Sequence, residues 1–536
     1  MNKPMFGIDF GTTNTRIAFY DGETVELVKI RNPDSGVDVA NIPTQAGFDE
    51  KNGNWHFGFD AEGFKQPKDS MKWMLLRDYP VEEISGTESK ELVTLFFHHL
   101  KAVVAEARAD EYEGQELSHA VLSIPVTFSL EERRALCESV EAAGIVVEQI
   151  YYEPVSALYA ALRENFRQMP IDENLSGRIA VFDWGGGTLD IAIATIRNGF
   201  LYILKRDTLL RGGKDFDQII VEKAMQDLKS KYNRHLDSYI ETAYHQKAAD
   251  LKKTAERIKI SLQNRDNFAL NYPRFIPKGA VNPPVEEDIN LNFPVLKENL
   301  RNWIGKDIEQ GIELLKECIC QTGIPLDDIG LATRCIILAG GTSNLSLIEE
   351  RLLEEFGTLK FGPLEKIERV PPIETYSSEP RRFFSSDKFG REDDASVATA
   401  VGNALLAADG GIPTFTCDIG LIVLSPTGQP YPKRIFQEGS PLPIDKPIIR
   451  QLPIINRGQE VISIQIYFQS IGYIKGEFEI HVDVKEHTVE ISFHVDRYRI
   501  LRVSGTGKNY PKRTQQSQDA IMDFPIAFRL PEKLKT

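Results

Sequence analysis

Three glycine-flanked turns carry the side chains with the clearest chemical meaning: Gly7-Ile-Asp-Phe-Gly-Thr-Thr-Asn-Thr15, Phe182-Asp-Trp-Gly-Gly-Gly-Thr-Leu-Asp190 and Leu338-Ala-Gly-Gly-Thr-Ser343. In the first two, an Asp within an apolar β-type run is followed by small or hydroxylated residues. Such a turn brings a metal-directing carboxylate and bare backbone N–H groups to one place, as a Mg-nucleotide requires. Asp9 could order a Mg²⁺ shell through water, while Gly11, Thr12, Thr13 and Asn14 offer N–H groups and hydroxyls to phosphate oxygens. For this turn taken alone, a tight hairpin with a capping Asp is the alternative. Three successive glycines, Gly185, Gly186 and Gly187, weaken a strand pair unless something approaches the backbone closely, and a phosphate is the expected visitor. No Gly-x-x-x-x-Gly-Lys-Ser/Thr occurs; Gly505-Thr-Gly-Lys508 lacks the first glycine and the hydroxyl residue, so a P-loop is excluded.

Strands must hold these turns, and the apolar pattern supplies them. Phe6 to Tyr20 reads as strand, turn, strand. Ala120–Phe128 is a buried-strand run, and Ser129-Leu-Glu-Glu132 is a capping box that opens a helix ending at Gly144. A strand at Val146–Tyr151 and a helix from Pro154 to about Phe166 complete a first half. The second half repeats the plan without repeating the sequence: strands Ile179–Phe182 and Leu189–Ile196, helices Gly213–Lys231 and about Gln246–Leu262, strand material between Phe268 and Phe293, helix Leu296–Cys320, strand Cys335–Leu338 and helix Leu345–Phe356. Pro371–Asp394, rich in Pro, Ser and charge, reads as an exposed insertion whose Arg381-Arg382 pair is a solvated loop. After helix Ser396–Ala408, the breaker cluster Asp409-Gly-Gly-Ile-Pro413 is the best linker candidate. Beyond it, Val461–Phe468, Phe478–Val484 and Val489–Val495 alternate apolar and polar residues, the mark of an antiparallel β-domain with one buried face, and no long helix is expected after it.

A chain of 536 residues exceeds one ordinary hydrophobic core, so two or more domains are expected. The net charge of −15 divides into −19 before Ile419 and +4 after it, and an acidic main body argues against a general nucleic-acid binder. Five cysteines form no C-x-x-C pair and no His/Cys cluster, so reduced thiols and a cytoplasmic location are expected. No apolar stretch approaches the roughly 20 residues that span a bilayer, so no membrane partner is expected.

The ordered motif set resembles the actin/sugar-kinase/heat-shock ATPase superfamily, and more narrowly the 70-kilodalton heat-shock (DnaK-like) chaperones. The narrower likeness rests on Val121-Leu-Ser-Ile-Pro-Val-Thr-Phe-Ser-Leu-Glu-Glu-Arg133, Tyr152-Glu-Pro-Val-Ser-Ala157, Leu210-Arg-Gly-Gly-Lys-Asp-Phe-Asp217 and Ala255-Glu-Arg-Ile-Lys-Ile-Ser261, in matching order and spacing. It covers residues 5–410 well and 418–510 more weakly, the latter through Gly439-Ser-Pro-Leu-Pro443 and Ser492–Val503. The resemblance implies an α/β fold: an actin-like two-lobed ATPase of duplicated ribonuclease H-like folds over 1–408, with a small lobe inserted at about 213–295. A linker at 409–418 and a β-sandwich over 419–536 that binds a substrate or partner would follow; the family's long helical lid is where the sequence departs from it, since the polar segment Gly505–Gln518 follows the β-pattern and no lid is expected.

By the same resemblance, Asp9, Asp183 and Glu153 order Mg²⁺ and the attacking water, with Asp190 behind Asp183 near the metal. Thr12, Thr13 and Thr188 hold phosphates, and Lys72 corresponds to the family's catalytic lysine. Gly212 and Gly213 belong to the nucleotide site, while Glu256, Lys259 and Gln263 edge the adenosine opposite Gly340, Gly341, Thr342 and Ser343. Pro125 and Arg133 resemble the family's relay between cleft and β-domain, although a turn-setting proline at a strand end is the other reading of Pro125. ATP/ADP and Mg²⁺ are the implied cofactors. An unfolded or extended polypeptide, a J-domain protein and a nucleotide-exchange factor are the implied partners. The family's short acidic, leucine-rich linker is replaced by Gly410–Asp418, which leaves interdomain coupling open. Two other readings use the same loops: a nucleotide-switched actin-like assembly or reactivating factor with a dedicated partner, and a small-molecule kinase, for which no acceptor pocket is marked.

Overall fold

A computed structural model describes residues 5–356 and 397–529 apart from short stretches, the longest at 166–177, 324–332 and 508–519. The expected insertion Pro371–Asp394 and the site residue Gln263 lie outside the described residues.

Two mixed sheets share one plan. In the first, β1 (Met5–Phe10) forms a hairpin with β2 (Asn14–Tyr20), which continues antiparallel to β3 (Val25–Leu27); on its other side β1 runs parallel to β4 (His119–Ile124), itself parallel to β5 (Val146–Tyr152). In the second, β6 (Arg178–Trp184) forms a hairpin with β7 (Leu189–Arg197), and β7 pairs with β8 (Phe200–Leu209); β6 runs parallel to a later strand, β11 (Thr333–Ala339). Each sheet thus places a central strand between a parallel neighbour and its own hairpin partner. In each hairpin the Asp of the motif is the last residue but one of its first strand, with Asp9 opposite Arg16 and Asp183 opposite Asp190.

Helices cover the sheets where apolar residues recur at helical spacing. Packed with the first sheet are α1 (Ser89–Ala107), α2 (Leu130–Ala142) and α3 (Glu153–Asn165). The box at the start of α2 forms as expected: Ser129 N–H donates to Glu132 Oε2 at 2.7 Å, and Glu132 N–H donates to Ser129 Oγ at 3.3 Å. On the second half lie α4 (Gly213–Lys231), α5 (Asp237–Ser261), α6 (Lys297–Cys320) and α7 (Ser346–Phe356), with a long hairpin of β9 (Asn267–Ile276) and β10 (Ile289–Leu296) inserted between α5 and α6. Helix α5 starts earlier than its sequence periodicity suggested, at Asp237. Cys318 is buried on α6 and Cys320 half-buried, and Cys318's apolar surroundings push its thiol pKa up to about 12. Helix α8 (Ala398–Asp409) returns to the first half, where Asn403 Nδ2 donates to Ile8 O at 2.9 Å and Ser156 Oγ lies 2.6 Å from Asn403 Oδ1.

The segment read as a linker forms a strand, β12 (Ile412–Phe415). Two four-stranded antiparallel sheets follow. One combines β13 (Ile419–Leu424), β14 (Pro430–Phe436), β16 (Val461–Phe468) and β17 (Tyr473–His481); the other combines β15 (Ile444–Pro453), β18 (Thr488–Val495), β19 (Leu501–Gly507) and β20 (Ala520–Met522). In β18 every second residue is buried, as alternation dictates. The last strand, β21 (Ile526–Arg529), leaves these sheets and inserts between β8 and β12, so the second sheet reads β11-β6-β7-β8-β21-β12.

One apolar core runs through the first half and continues past Val181 and Leu201 to Phe415, Ile419, Phe436 and Phe493 of the β-domain. A second fills the other half around Trp184 and Phe216.

Candidate functional site

The two Asp-bearing hairpins open into one cleft of about 220 Å³, too large for a single ordered water. Its walls include Asp9, Gly11, Thr12, Thr13 and Asn14 from the first hairpin, and Asp183, Gly185, Gly186, Gly187 and Thr188 from the second. Lys72 and Glu153 lie between them, Gly213 opens α4, Glu256 and Lys259 come from α5, and Gly340, Gly341 and Thr342 follow β11 beside the second hairpin, where Thr342 Oγ1 donates to Gly185 O at 2.7 Å.

Backbone geometry explains why these turns need their small residues. Gly340 sits at φ +76°, and a Cβ there would meet Asp183 Oδ1 at 2.5 Å. A Cβ on Gly186 would meet Thr13 Oγ1 at 2.1 Å, so a side chain there would fill the gap between the two hairpins. The Thr13 hydroxyl is buried and has no hydrogen-bond partner among the described residues. A buried hydroxyl left unpaired costs about 1–3 kcal/mol, and a phosphate oxygen would satisfy it.

Charge in the cleft is arranged around Lys72. Its Nζ donates to Glu153 Oε1 at 2.5 Å, with both side chains almost wholly buried. Burial alone would lower the Lys72 pKa, but the carboxylates of Glu153 and Asp9 outweigh it and hold the ammonium above its usual value. Asp9 is pushed up to about 6 by burial and by Glu153, against the pull of Arg16, whose Nη1 is 3.7 Å away, and of Lys72. Burial and the carboxylates of Glu153, Asp190 and Asp9 drive Asp183 well above the carboxylate range. More acid than base is therefore gathered here, an arrangement that favours a bound cation.

Three of the predicted residues that the structure describes stand outside the walls. Asp190 is behind them, raised to about 6 by burial and Glu153, and accepts from Thr188 Oγ1 at 2.8 Å, Thr208 Oγ1 at 2.6 Å and Val126 N–H at 3.3 Å. Ser343 Oγ braces the end of β6, accepting from Trp184 N–H and donating to Phe182 O, each at 3.2 Å. Gly212 caps α4, packed on Gly186. Gln263 is not among the described residues. Lys259 lines the cleft, but its ammonium is already engaged by Asp217 Oδ1 at 2.7 Å and Gly213 O at 2.9 Å.

Sequence reading missed Arg16, Asn41, Lys214, Asp217, Ile260, Asn344 and Thr399 in the walls. Arg16 was available from hairpin register, since it faces Asp9 across the strands. Lys214 and Asp217 lie in Leu210–Asp217, a segment already singled out; Lys214 N–H donates to Gly186 O at 2.8 Å and its Nζ to Thr12 O at 2.9 Å, so that it joins the two hairpins. Nothing in the local pattern of Asn41 or Thr399 marks them, because only tertiary packing brings them here.

A model of the family described as Hsp70 protein matches residues 87–366, more than half of the chain. This chain belongs to the Hsp70 family. The matched span contains Glu153, the Asp183 turn, Asp190 and the Gly340 turn, whereas the Asp9 turn and Lys72 precede it. Membership makes the two-lobed α/β body an actin-like ATPase fold of the Hsp70 kind and gives the chain an ATP-binding, chaperone-like function in general terms. Hsp70 proteins as a family bind ATP or ADP with Mg²⁺ and hydrolyse ATP. No helix among the described residues is long and apolar enough to cross a membrane.

Proposed function

We propose that this Hsp70-family chain hydrolyses Mg-ATP in the cleft between the two hairpins, and that the state of the cleft sets the affinity of the β-domain for an extended polypeptide. The observation that carries the reading is the facing pair of Asp-bearing, glycine-rich hairpins with the buried Lys72–Glu153 pair between them and the Thr13 hydroxyl without a partner among the described residues. Backbone N–H groups of Thr12, Thr13, Gly186 and Gly187, with the hydroxyls of Thr12, Thr13 and Thr188, bind phosphate oxygens, while the N–H groups of Gly11 and Gly185 close their own turns on Asp9 O and Thr188 O. Lys72 offsets negative charge on the terminal phosphate, and Glu153, held by Lys72, orients the attacking water and takes its proton. Asp9 and Asp183 would hold Mg²⁺ mainly through water, with Asp190 behind Asp183. Mg²⁺ when bound neutralises phosphate charge. Glu256 and Ile260 border the nucleoside end.

The test is steady-state ATP hydrolysis with and without an unfolded polypeptide, beside Lys72→Ala and Asp183→Ala. The reading expects stimulation by polypeptide and a loss of about 10²-fold or more in turnover for each substitution. Hydrolysis indifferent to polypeptide would remove the chaperone half of the reading. A second reading, a nucleotide-switched factor with a dedicated protein partner, draws on β12, whose two edges are both hydrogen-bonded rather than free. Nucleotide-dependent sedimentation would favour it.

A further inference from the structure

We infer that Tyr152 and Arg206 form a clamp across the base of the cleft that positions Glu153, so that Arg206, a residue of the second half of the molecule, sets the geometry of a carboxylate carried by the first. The inference rests on the reading of Glu153 as the water-orienting carboxylate.

Tyr152 is the last residue of β5, and Glu153 is the first of α3. The orientation of Tyr152 therefore fixes where the Glu153 backbone leaves the sheet. Tyr152 is 2% exposed and is held from two sides. From α2, Arg133 Nη2 donates to the Tyr152 hydroxyl at 3.0 Å. From β8, the Arg206 guanidinium carbon lies 4.2 Å from the Tyr152 ring centroid, well inside cation–π range, whereas that of Arg133 is at 5.7 Å. The close cation thus belongs to the other sheet.

Strand β8 reaches a second carboxylate as well. Two residues beyond Arg206, on the same face of the strand, Thr208 Oγ1 donates to Asp190 Oδ1 at 2.6 Å. A single strand of the second sheet therefore holds Asp190 directly and Glu153 through Tyr152. None of Tyr152, Arg133 and Arg206 is among the residues lining the cleft, so they are positioning residues rather than catalytic ones. Misplacing a reacting group by about 1 Å costs up to about 10²-fold in rate without necessarily changing ground-state binding. Loss of the Arg206 contact should therefore appear in kcat and not in nucleotide affinity.

The experiment measures ATPase kcat and KM, with binding of a fluorescent ADP analogue, on the full chain and on Arg206→Ala, Arg206→Lys, Tyr152→Phe and Tyr152→Leu. Arg206→Ala and Tyr152→Leu should each lower kcat about tenfold with ADP affinity within about twofold. Arg206→Lys, which keeps a cation, and Tyr152→Phe, which keeps the ring, should recover most of that loss. Single-turnover rates in a Glu153→Gln background separate positioning from mere packing, because Arg206→Ala should have little further effect once its target is gone. An equal fractional loss in that background, or a kcat for both Arg206→Ala and Arg206→Lys within twofold of the unsubstituted chain, overturns the clamp and leaves ATP hydrolysis standing. An unsubstituted chain that hydrolyses no ATP overturns the functional reading, and the clamp falls with it. Should Arg206→Ala fail to fold by its thermal melt, Tyr152→Leu against Tyr152→Phe carries the same decision.

Discussion

Burial and the neighbouring Glu153 penalise the charged forms of Asp9, in the cleft wall, and Asp190, behind it, and push both up to about 6. Their folded-state values lie above the ordinary 3.8, so the stability these groups contribute is fully present below about 3.8 and is lost as pH rises through about 6. A bound divalent cation reverses the sign by favouring the ionised forms. Stabilisation by Mg-ADP, read as the shift in melting temperature over the nucleotide-free chain, should therefore be small near pH 5 and grow towards pH 7. A shift independent of pH over that interval would separate these carboxylates from the metal. The placement of Asp9 and Asp183 in one cleft was legible in the sequence through the pair of glycine-rich turns, since either turn alone could have been a plain hairpin with a capping Asp. The engagement of Lys259 by Asp217 was not, because both residues look like ordinary helix-surface charges until α4 and α5 pack together.

Elements were read best where local chemistry decides them. Ser129 and Glu132 spell out a capping box, and β18 alternates residue by residue. The order β8-β21-β12 had no such signal, because a four-residue strand in a Pro-containing segment gains its identity from its neighbours. Ile412–Phe415 pairs with Ile526–Arg529 on one edge, and on the other Phe415 N–H donates to Ser440 O at 3.2 Å and Leu442 N–H to Pro413 O at 2.8 Å. A continuous hydrogen-bonded belt thus joins the second sheet to the Gly439–Leu442 turn of the β-domain. Ala527 faces Tyr202 on one side and Thr414 on the other, so its backbone N–H points into a ladder on either choice. Ala527→Pro removes that donor. Limited proteolysis should then cut between residues 410 and 418 faster than in the unsubstituted chain, while ADP affinity stays unchanged. Unaltered cleavage would mean that the belt does not hold the junction.

At the scale of the whole molecule, the duplicated sheet plan explains why the cleft exists: two central strands each carry an Asp one residue before their end, and the halves are bridged by Val126 N–H on Asp190 and by Arg206 on Tyr152. The sequence showed the duplication as architecture, because strand and helix order repeat even though residues do not. It did not show that one apolar core passes from the first half into the β-domain, since burial at Phe415, Ile419 and Phe436 depends on which faces meet. That continuity has a thermodynamic consequence. Segments sharing a core unfold together, because exposing one part removes contacts from the other. Calorimetry of the full chain should therefore show the β-domain melting within the transition of the first half, and saturating Mg-ADP, which binds only the folded cleft, should move that joint transition upward as mass action requires. At about 100 times Kd the expected stabilisation is about 2.7 kcal/mol. Two separate transitions, of which only one responds to Mg-ADP, would show instead that the β-domain is thermodynamically independent, and a nucleotide signal would then have to reach it through the β12 belt alone.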